Sequence, residues 1–339
     1  MTALHVRVPL RISFGGGGTD VDTYFAKFGG MVVSTSISRY CHVVIEPAPS
    51  GIEIASINYG RSVRRSRPID LPTEPPFVLA RAVLSEMWPD SAGGVRVSLG
   101  AEVLPGSGLG TSCALVVGLC KAVAVMLDRD VSGPALAESA YRIDTEIAGQ
   151  ASGKQDNYAA ACGGLNVIEF LPQGVVVTPL DVGKGLLARL EAHTMLFFDG
   201  NTRAAATVLD DQRTAGRSPG PVLDALHGVK RIAIAMAGAL RSGDLDRFCL
   251  LLGESWEEKK RFSPRVTTPG IDRAVDASRR AGALGAKIAG AGAGGHLLVM
   301  AAPAVQDAVC HALEDLGWAV VPVLFDSRGP TIFRREEHQ

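Results

Sequence analysis

The stretch Pro105-Gly106-Ser107-Gly108-Leu109-Gly110-Thr111-Ser112 runs without a break into CALVVGLCKAVAVML at residues 113–127. Glycines at alternate positions strip side chains from a loop that leads directly into a helix. Their N–H groups can converge on an anion at the positive end of the helix dipole. Thr111 and Ser112 add hydroxyls at the helix start, suited to a phosphate or to a magnesium ion beside it. A glycine turn with Ser112 as the helix cap is the structural alternative, but three glycines and two hydroxyls exceed what a cap needs. The helix is apolar nearly all round, which predicts burial on every side. No Gly-Lys-Ser or Gly-Lys-Thr occurs in the chain, so the loop does not belong to a P-loop NTPase.

Two further glycine clusters flank this one. Val6 to Phe14 reads as a strand that runs into Gly15-Gly16-Gly17-Gly18-Thr19-Asp20. Near the C-terminus, Gly290-Ala-Gly-Ala-Gly-Gly295 formally contains G-x-G-x-x-G. A dinucleotide fold needs that pattern between a first strand and a helix. Here it falls between predicted strands at 286–289 and 296–300, which argues against a nicotinamide-dependent dehydrogenase.

Outward from the loops, β-branched runs predict strands at 31–38 and 41–46, and the alternation at 95–99 predicts a half-buried strand. Helices are expected at 21–28, 76–87, 133–147 and 154–161, with strands at 165–170 and 175–179. Residues 47–75, rich in Pro, Ser and Arg, promise weak strands at best. A composition change near Leu186 divides the chain into 1–185 and 186–339. The second part reads as a strand at 193–199, helices at 203–215, 221–241, 244–259 and 269–282, the two strands already named, a helix at 304–316 and a strand at 318–325. Two α+β layers, each a sheet covered by helices, are the expected packing.

Composition excludes several classes. In 339 residues, 34 Lys and Arg against 35 Asp and Glu leave a net charge of -1, without the basic excess of a general nucleic-acid binder. Hydrophobic residues at 47% and charged residues at 20% fit an ordinary globular chain. Six scattered cysteines without a C-x-x-C pair argue against a zinc site or a disulfide framework, and favour a reducing compartment. The opening MTALHVRVPLRIS lacks an apolar segment of signal-peptide length, and the longest apolar run, Ala114 to Leu127, is interrupted by Lys121. A cytoplasmic protein with neither membrane nor nucleic-acid partners is expected.

Taken in order, VPLRISFGGGGTD, PGSGLGTS and KIAGAGAGG resemble the three motifs of the GHMP kinases, the superfamily of galactokinase, homoserine kinase and mevalonate kinase. Thr111 and Cys113 depart mildly from that family's P-x-x-x-G-L-G-S-S-A pattern. RISFGGGGTD, SGKQDNYAAACGGLNVIEF, FDGNTRAAATVLDDQ and ESWEEKKRFSP are similar to sugar 1-kinases acting on D-glycero-D-manno-heptose 7-phosphate, and to octose 8-phosphate 1-kinases of lincosamide-type pathways. These segments extend from residue 11 to residue 264. The resemblance implies a two-domain α+β enzyme, with an N-terminal domain like domain 2 of ribosomal protein S5 and a ferredoxin-like C-terminal domain. ATP and a sugar phosphate would meet in the cleft between them, with magnesium as the cofactor. A homodimer is compatible with the resemblance.

The resemblance also implies roles. Pro105, Gly106, Ser107, Gly108, Leu109, Gly110, Thr111 and Ser112 would bind the nucleotide, and Ser112 with Glu146 would hold magnesium, which prefers oxygen ligands. Glu146 could equally be a solvated helix carboxylate, since Asp144 sits two residues earlier. Asp156 matches the family's catalytic aspartate and would orient or deprotonate the sugar's C1 hydroxyl, unless it only caps its helix. Arg11 would sit beside Asp156 and stabilise the transferring charge; a strand-edge ion pair is the alternative. Bare backbone at Gly17 and Gly18 could approach a sugar closely, with Thr19 and Asp20 bonding its ring hydroxyls. Arg203 and Lys259 match basic positions that would take the distal phosphate. A kinase for an unphosphorylated sugar or other small alcohol, or a silent metabolite-binding paralogue, remain as alternatives.

Overall fold

In the computed structural model, residues 2–202 and 219–334 are described. The first sheet is built on β1 (Leu4–Gly15) and the 19-residue β2 (Gly30–Ala48), joined through α1 (Asp22–Phe28). The two strands expected at 31–38 and 41–46 are one strand, because Arg39 and Tyr40 continue the extended backbone with only a bulge opposite Pro9 and Leu10. The Arg-rich region does form a hairpin, β3 (Ile52–Ser56) and β4 (Arg61–Arg65), and β3 runs parallel to β5 (Gly94–Ala101). β6 (Leu165–Leu171) pairs with β2, and β7 (Gly174–Pro179) pairs with β6.

Four helices pack beside this sheet: α2 (Val78–Met87), α3 (Thr111–Met126), α4 (Gly133–Arg142) and α5 (Gln155–Cys162). The helical pattern expected over 133–147 ends in a π turn at Ile143–Ile147. The all-apolar α3 lies between the sheet and its sister helices. Its Gly118 presses so close that a Cβ there would stand 2.9 Å from methyl groups of both Val8 and Val43. That approach explains why α3 needs no polar face.

α6 (Gly183–His193) leads to the second sheet, which holds β8 (Thr194–Phe198), β9 (Gly285–Ile288), β10 (His296–Met300) and β11 (Ala319–Val320). Its spatial order is β11-β8-β10-β9. With α7 (Pro221–Ser242), α8 (Leu245–Lys260), α9 (Pro269–Arg280) and α10 (Gln306–Glu314), the sequence β8–helices–β9–β10–α10–β11 is a ferredoxin-like unit enlarged by extra helices. The helix expected at 203–215 falls outside the described residues. The strand expected over 318–325 is short, and the chain then returns to the first sheet as β12 (Phe325–Asp326) against β2 and β13 (Thr331–Arg334) against β1. A second core, centred on Phe197, Trp256, Ile288 and Leu297, also takes in Tyr24 of α1. Both units therefore grip the segment that follows the first glycine run.

Candidate active site

Three glycine-rich segments meet at the N-terminus of α3. β1 carries Arg11 and runs into Gly15–Asp20, the Pro105–Gly110 loop precedes α3, and the turn 289–295 joins β9 to β10. Gly106, Gly108 and Gly110 have φ of 82°, 92° and 80°, a region open to glycine and strained for other residues. A Cβ on Gly108 would sit 2.7 Å from the Ala289 carbonyl oxygen, and one on Gly295 would sit 2.4 Å from that of Ser107. The second and third motifs thus lie backbone against backbone.

The Ser107 carbonyl accepts from His296 N at 3.2 Å and from His296 Nδ1 at 2.8 Å. A carbonyl only accepts, so His296 carries a proton on Nδ1. Burial lowers its pKa. Asp199, just beyond β8, fastens the same end of the turn by accepting from Gly295 N at 3.2 Å. Ser107 Oγ and Thr111 Oγ1 are buried with no hydrogen-bond partner among the described residues, while Ser112 is exposed at the mouth of the helix.

Asp156 lies in the first turn of α5. Its carboxylate accepts from Arg11 Nε and Nη2, each at 2.7 Å, and the third guanidinium nitrogen donates to Gly108 O at 2.7 Å. Arg11 therefore ties the carboxylate to the second glycine loop. Its side chain is 4% exposed against 20% for Asp156, so the guanidinium is walled in while part of the carboxylate stays accessible. Such a bidentate pair fixes both charge and direction.

Asp20 is buried against the same first turn of α5. It accepts from Gly18 N at 2.9 Å, Gln155 N at 3.2 Å and Gln155 Nε2 at 3.2 Å. Burial, then the Asp156 charge, raise its pKa. A Cβ on Gly153 would sit 2.0 Å from its Oδ2. The Thr19 hydroxyl is fully enclosed, accepting from Met31 N at 3.0 Å and lying 2.8 Å from Gly16 O. Thr19 thus shapes the loop from behind.

Two lysines approach from the second unit. Lys259, near the end of α8, is buried and donates to Gly290 O. Burial, reinforced by Arg11, pushes its pKa down to about 8. Lys287, on β9, donates to Ser13 O at 2.9 Å and Phe14 O at 3.2 Å. Burial, then Lys259 and Arg11, hold it well below the ordinary lysine range. Two buried lysines and the buried Arg11 thus underlie the junction of the three loops.

Residues 77–164 match the profile of the GHMP kinases N terminal domain, and residues 236–317 that of the GHMP kinases C terminal. A D-glycero-alpha-D-manno-heptose 7-phosphate kinase of Campylobacter jejuni is 31% identical over 319 residues, 93% of this chain and 94% of that one. The chain belongs to the GHMP kinase superfamily. A solved D-glycero-D-manno-heptose 1-phosphate kinase from Bacteroides thetaiotaomicron superposes with a TM-score of 0.81 at 29% identity, covering 98% of this chain and 100% of that one. Galactokinase of Lactococcus lactis, solved with galactose, shares the fold at TM-score 0.78 and 18% identity, over 97% and 95% of the two chains. The protein is an ATP-dependent kinase with a small-molecule acceptor.

The kinase fold gathers the first and second motifs, Asp156 and Lys259 at one place, while Arg203 lies outside the described residues. Glu146, expected at the metal, and its neighbour Asp144 are placed differently. Glu146 is exposed. Asp144 is buried, with Oδ2 accepting from Ser152 Oγ at 2.8 Å and from Cys113 Sγ at 3.6 Å, and with Oδ1 unpartnered among the described residues. Burial raises its pKa. Magnesium takes oxygen ligands, so the orphaned Asp144 Oδ1 beside the start of α3 fits a metal better than Glu146 does. Ordinary helical spacing already separates the two, since residues two apart face different ways, and Asp144 continues the buried face of Leu136, Ala137, Ala140 and Ile143. Lys287 went unremarked although a lone charge between Ala286 and Ile288 on an apolar strand is a readable signal. Among the described residues no helix is long and apolar enough to cross a membrane.

Proposed function

We propose that the kinase transfers the γ-phosphoryl group of ATP to the anomeric C1 hydroxyl of D-glycero-D-manno-heptose 7-phosphate, with an octose 8-phosphate as the other acceptor this reading admits. The observation that carries it is the near end-to-end similarity to the Campylobacter heptose 7-phosphate kinase. The Arg11–Asp156 pair supports it chemically. Asp156 orients the C1 hydroxyl and accepts its proton as the C1 oxygen bonds to the γ-phosphorus; the bond from that phosphorus to the β–γ bridging oxygen breaks, and ADP leaves with the electron pair. Arg11 keeps the carboxylate aimed. The loop from Pro105 to Ser112 offers N–H groups and hydroxyls to the phosphates.

Ser112 and Asp144 would hold magnesium, which supplies charge neutralisation at the polyphosphate when bound. Gly17, Gly18 and Asp20 are assigned to the sugar. Lys259 is enclosed beneath the third loop beside Arg11, so its charge acts near the transferring group, and Arg203 is left as the cation for the distal phosphate. The domain division is placed between 1–185 and 186–339, with β12 and β13 reaching back onto the first sheet. A cytoplasmic setting goes with this reading.

The test is incubation of the purified protein with magnesium and ATP against heptose 7-phosphate and octose 8-phosphate, followed by phosphorus NMR. A new anomeric phosphate signal with equal ADP is expected. Turnover of free sugars alone would remove the distal-phosphate site, and no ADP with any sugar would remove the reading.

A further inference from the structure

In the first glycine run, Gly17 alone is required neither by its backbone angle nor by a close neighbour. Gly16 and Gly18 have φ of 90° and 100°, and a Cβ on Gly16 would stand 1.8 Å from the Met31 carbonyl oxygen. Both must be glycine. Gly17 is different. It is not among the positive-φ glycines, and the nearest atoms a Cβ there would meet are Gln155 Nε2 at 3.5 Å, Gln155 Oε1 at 3.8 Å and Ser13 Oγ at 3.8 Å. These are ordinary van der Waals separations. Alanine would fit the fold, so glycine here serves something outside it.

The three atoms around that missing methyl are polar, and two of them are unsatisfied. Ser13 Oγ and Gln155 Oε1 are both buried without a hydrogen-bond partner among the described residues. The Gln155 amide cannot rotate to relieve this, because Nε2 donates to the Asp20 carboxylate at 3.2 Å and a carboxylate only accepts. Oε1 is therefore the amide atom turned away from Asp20, and it stays 3.8 Å from the position of a Gly17 Cβ. Ser13 is fixed equally firmly, since its carbonyl is held by Lys287 and its strand pairs with β2 at Ser34. An unpaired buried acceptor and an unpaired buried hydroxyl are each unfavourable by about 1–3 kcal/mol. Gly17 is also the only partly exposed residue between Arg11 and Asp20, the rest being buried. A ligand reaching this loop meets Gly17 first.

We infer that Ser13 and Gln155, across the bare Gly17 backbone, form a hydroxyl-recognition pocket that sets the acceptor sugar's configuration. A substrate hydroxyl donates to Gln155 Oε1 and accepts from Ser13 Oγ–H, which pairs both orphaned atoms at once. An epimer turns that hydroxyl away and leaves both unpaired. This deepens the sugar-kinase reading and rests on it. Both residues are assigned to acceptor binding, and the proton transfer stays with Asp156.

The test uses Ser13→Ala and Gly17→Ala in the full-length enzyme, with a panel of free and phosphorylated hexoses, heptoses and octoses and their monodeoxy analogues. Using whichever acceptor the wild type turns over best, each variant should raise the acceptor KM about tenfold and leave the ATP KM within about twofold. Ser13→Ala should also melt at the same or a higher temperature than the wild type, because it removes an unpaired buried hydroxyl. A merely structural serine would give the opposite shift. The one deoxy analogue that lacks the recognised hydroxyl should bind poorly to the wild type and lose little further in Ser13→Ala.

Unchanged acceptor KM in both variants overturns the pocket while leaving the kinase intact, as does a lowered melting temperature with parallel losses for acceptor and ATP. A wild-type enzyme that phosphorylates none of the panel overturns the sugar-kinase reading, and the pocket with it.

Discussion

Replacing Asp156 by Asn separates its two duties, since it removes the base while keeping the shape. In the wild type, Arg11 donates to each carboxylate oxygen at 2.7 Å. The substituted carboxamide can keep its oxygen toward Nε, but its NH2 then faces Nη2, donor against donor. One charge-assisted bond is lost, about 1.5–3 kcal/mol. At about 1.4 °C per kcal/mol for a chain of 339 residues, the melting temperature should fall by about 2–4 °C. Turnover should fall much further, by about 10²–10⁴, the usual contribution of a positioned base. ATP binding should change less than about threefold, because Asp156 gives no donor to the phosphate loop. The assays are ADP release at saturating substrates, calorimetric titration with ATP, and scanning calorimetry. Turnover within about fivefold of wild type would falsify the assignment, and a loss of ATP affinity matching the loss of turnover would show a collapsed loop instead. Asp156→Ala is the harsher control. It leaves a guanidinium 4% exposed and unpaired, which should destabilise by about 3–5 kcal/mol.

Asp144→Asn should raise the magnesium concentration needed for half-maximal activity about tenfold or more, while Glu146→Gln should leave it within about twofold; the reverse ranking would return the metal to Glu146. Folding lowers the Lys259 pKa from 10.5 to about 8, so between those values the unfolded chain binds more protons and this group's contribution makes stability rise with pH. Activity should move the other way, with kcat/KM falling above about pH 8 as the ammonium beside Arg11 is lost, and Lys259→Met should lack that limb; a limb that persists in the variant assigns it elsewhere. Gly108→Ala combines a φ of 92° with a Cβ placed 2.7 Å from the Ala289 carbonyl, so ATP affinity should drop at least tenfold with about 1–3 kcal/mol of lost stability; near-normal ATP binding would show that the second and third motifs can part without harm.

The sequence alone was enough for the glycine loops, the apolar helix behind them, the two α+β layers and the family they belong to. Each rests on local chemistry: alternating glycines free a backbone, a helix apolar all round must be buried, and a period of two marks a half-buried strand. Asp156 and Arg11 could be named as partners from their motifs, although 145 residues separate them. The tertiary structure alone decided what depends on direction. That Asp144 keeps one carboxylate oxygen unpaired beside the start of α3 is set by Ser152 and Cys113, which fold onto its other oxygen. Whether Thr19 faces a ligand or the backbone is set by Met31, across the loop. Lys259 and Lys287 acquire their meaning from the carbonyls of Gly290, Ser13 and Phe14, which only folding brings within reach. Gly17 differs from Gly16 and Gly18 only by its backbone angle and its neighbours, and four consecutive glycines are indistinguishable on paper. Hydrophobic pattern and turn chemistry act along the chain, within a few residues, whereas the burial of a charge or the orphaning of a hydroxyl depends on every segment packed around it.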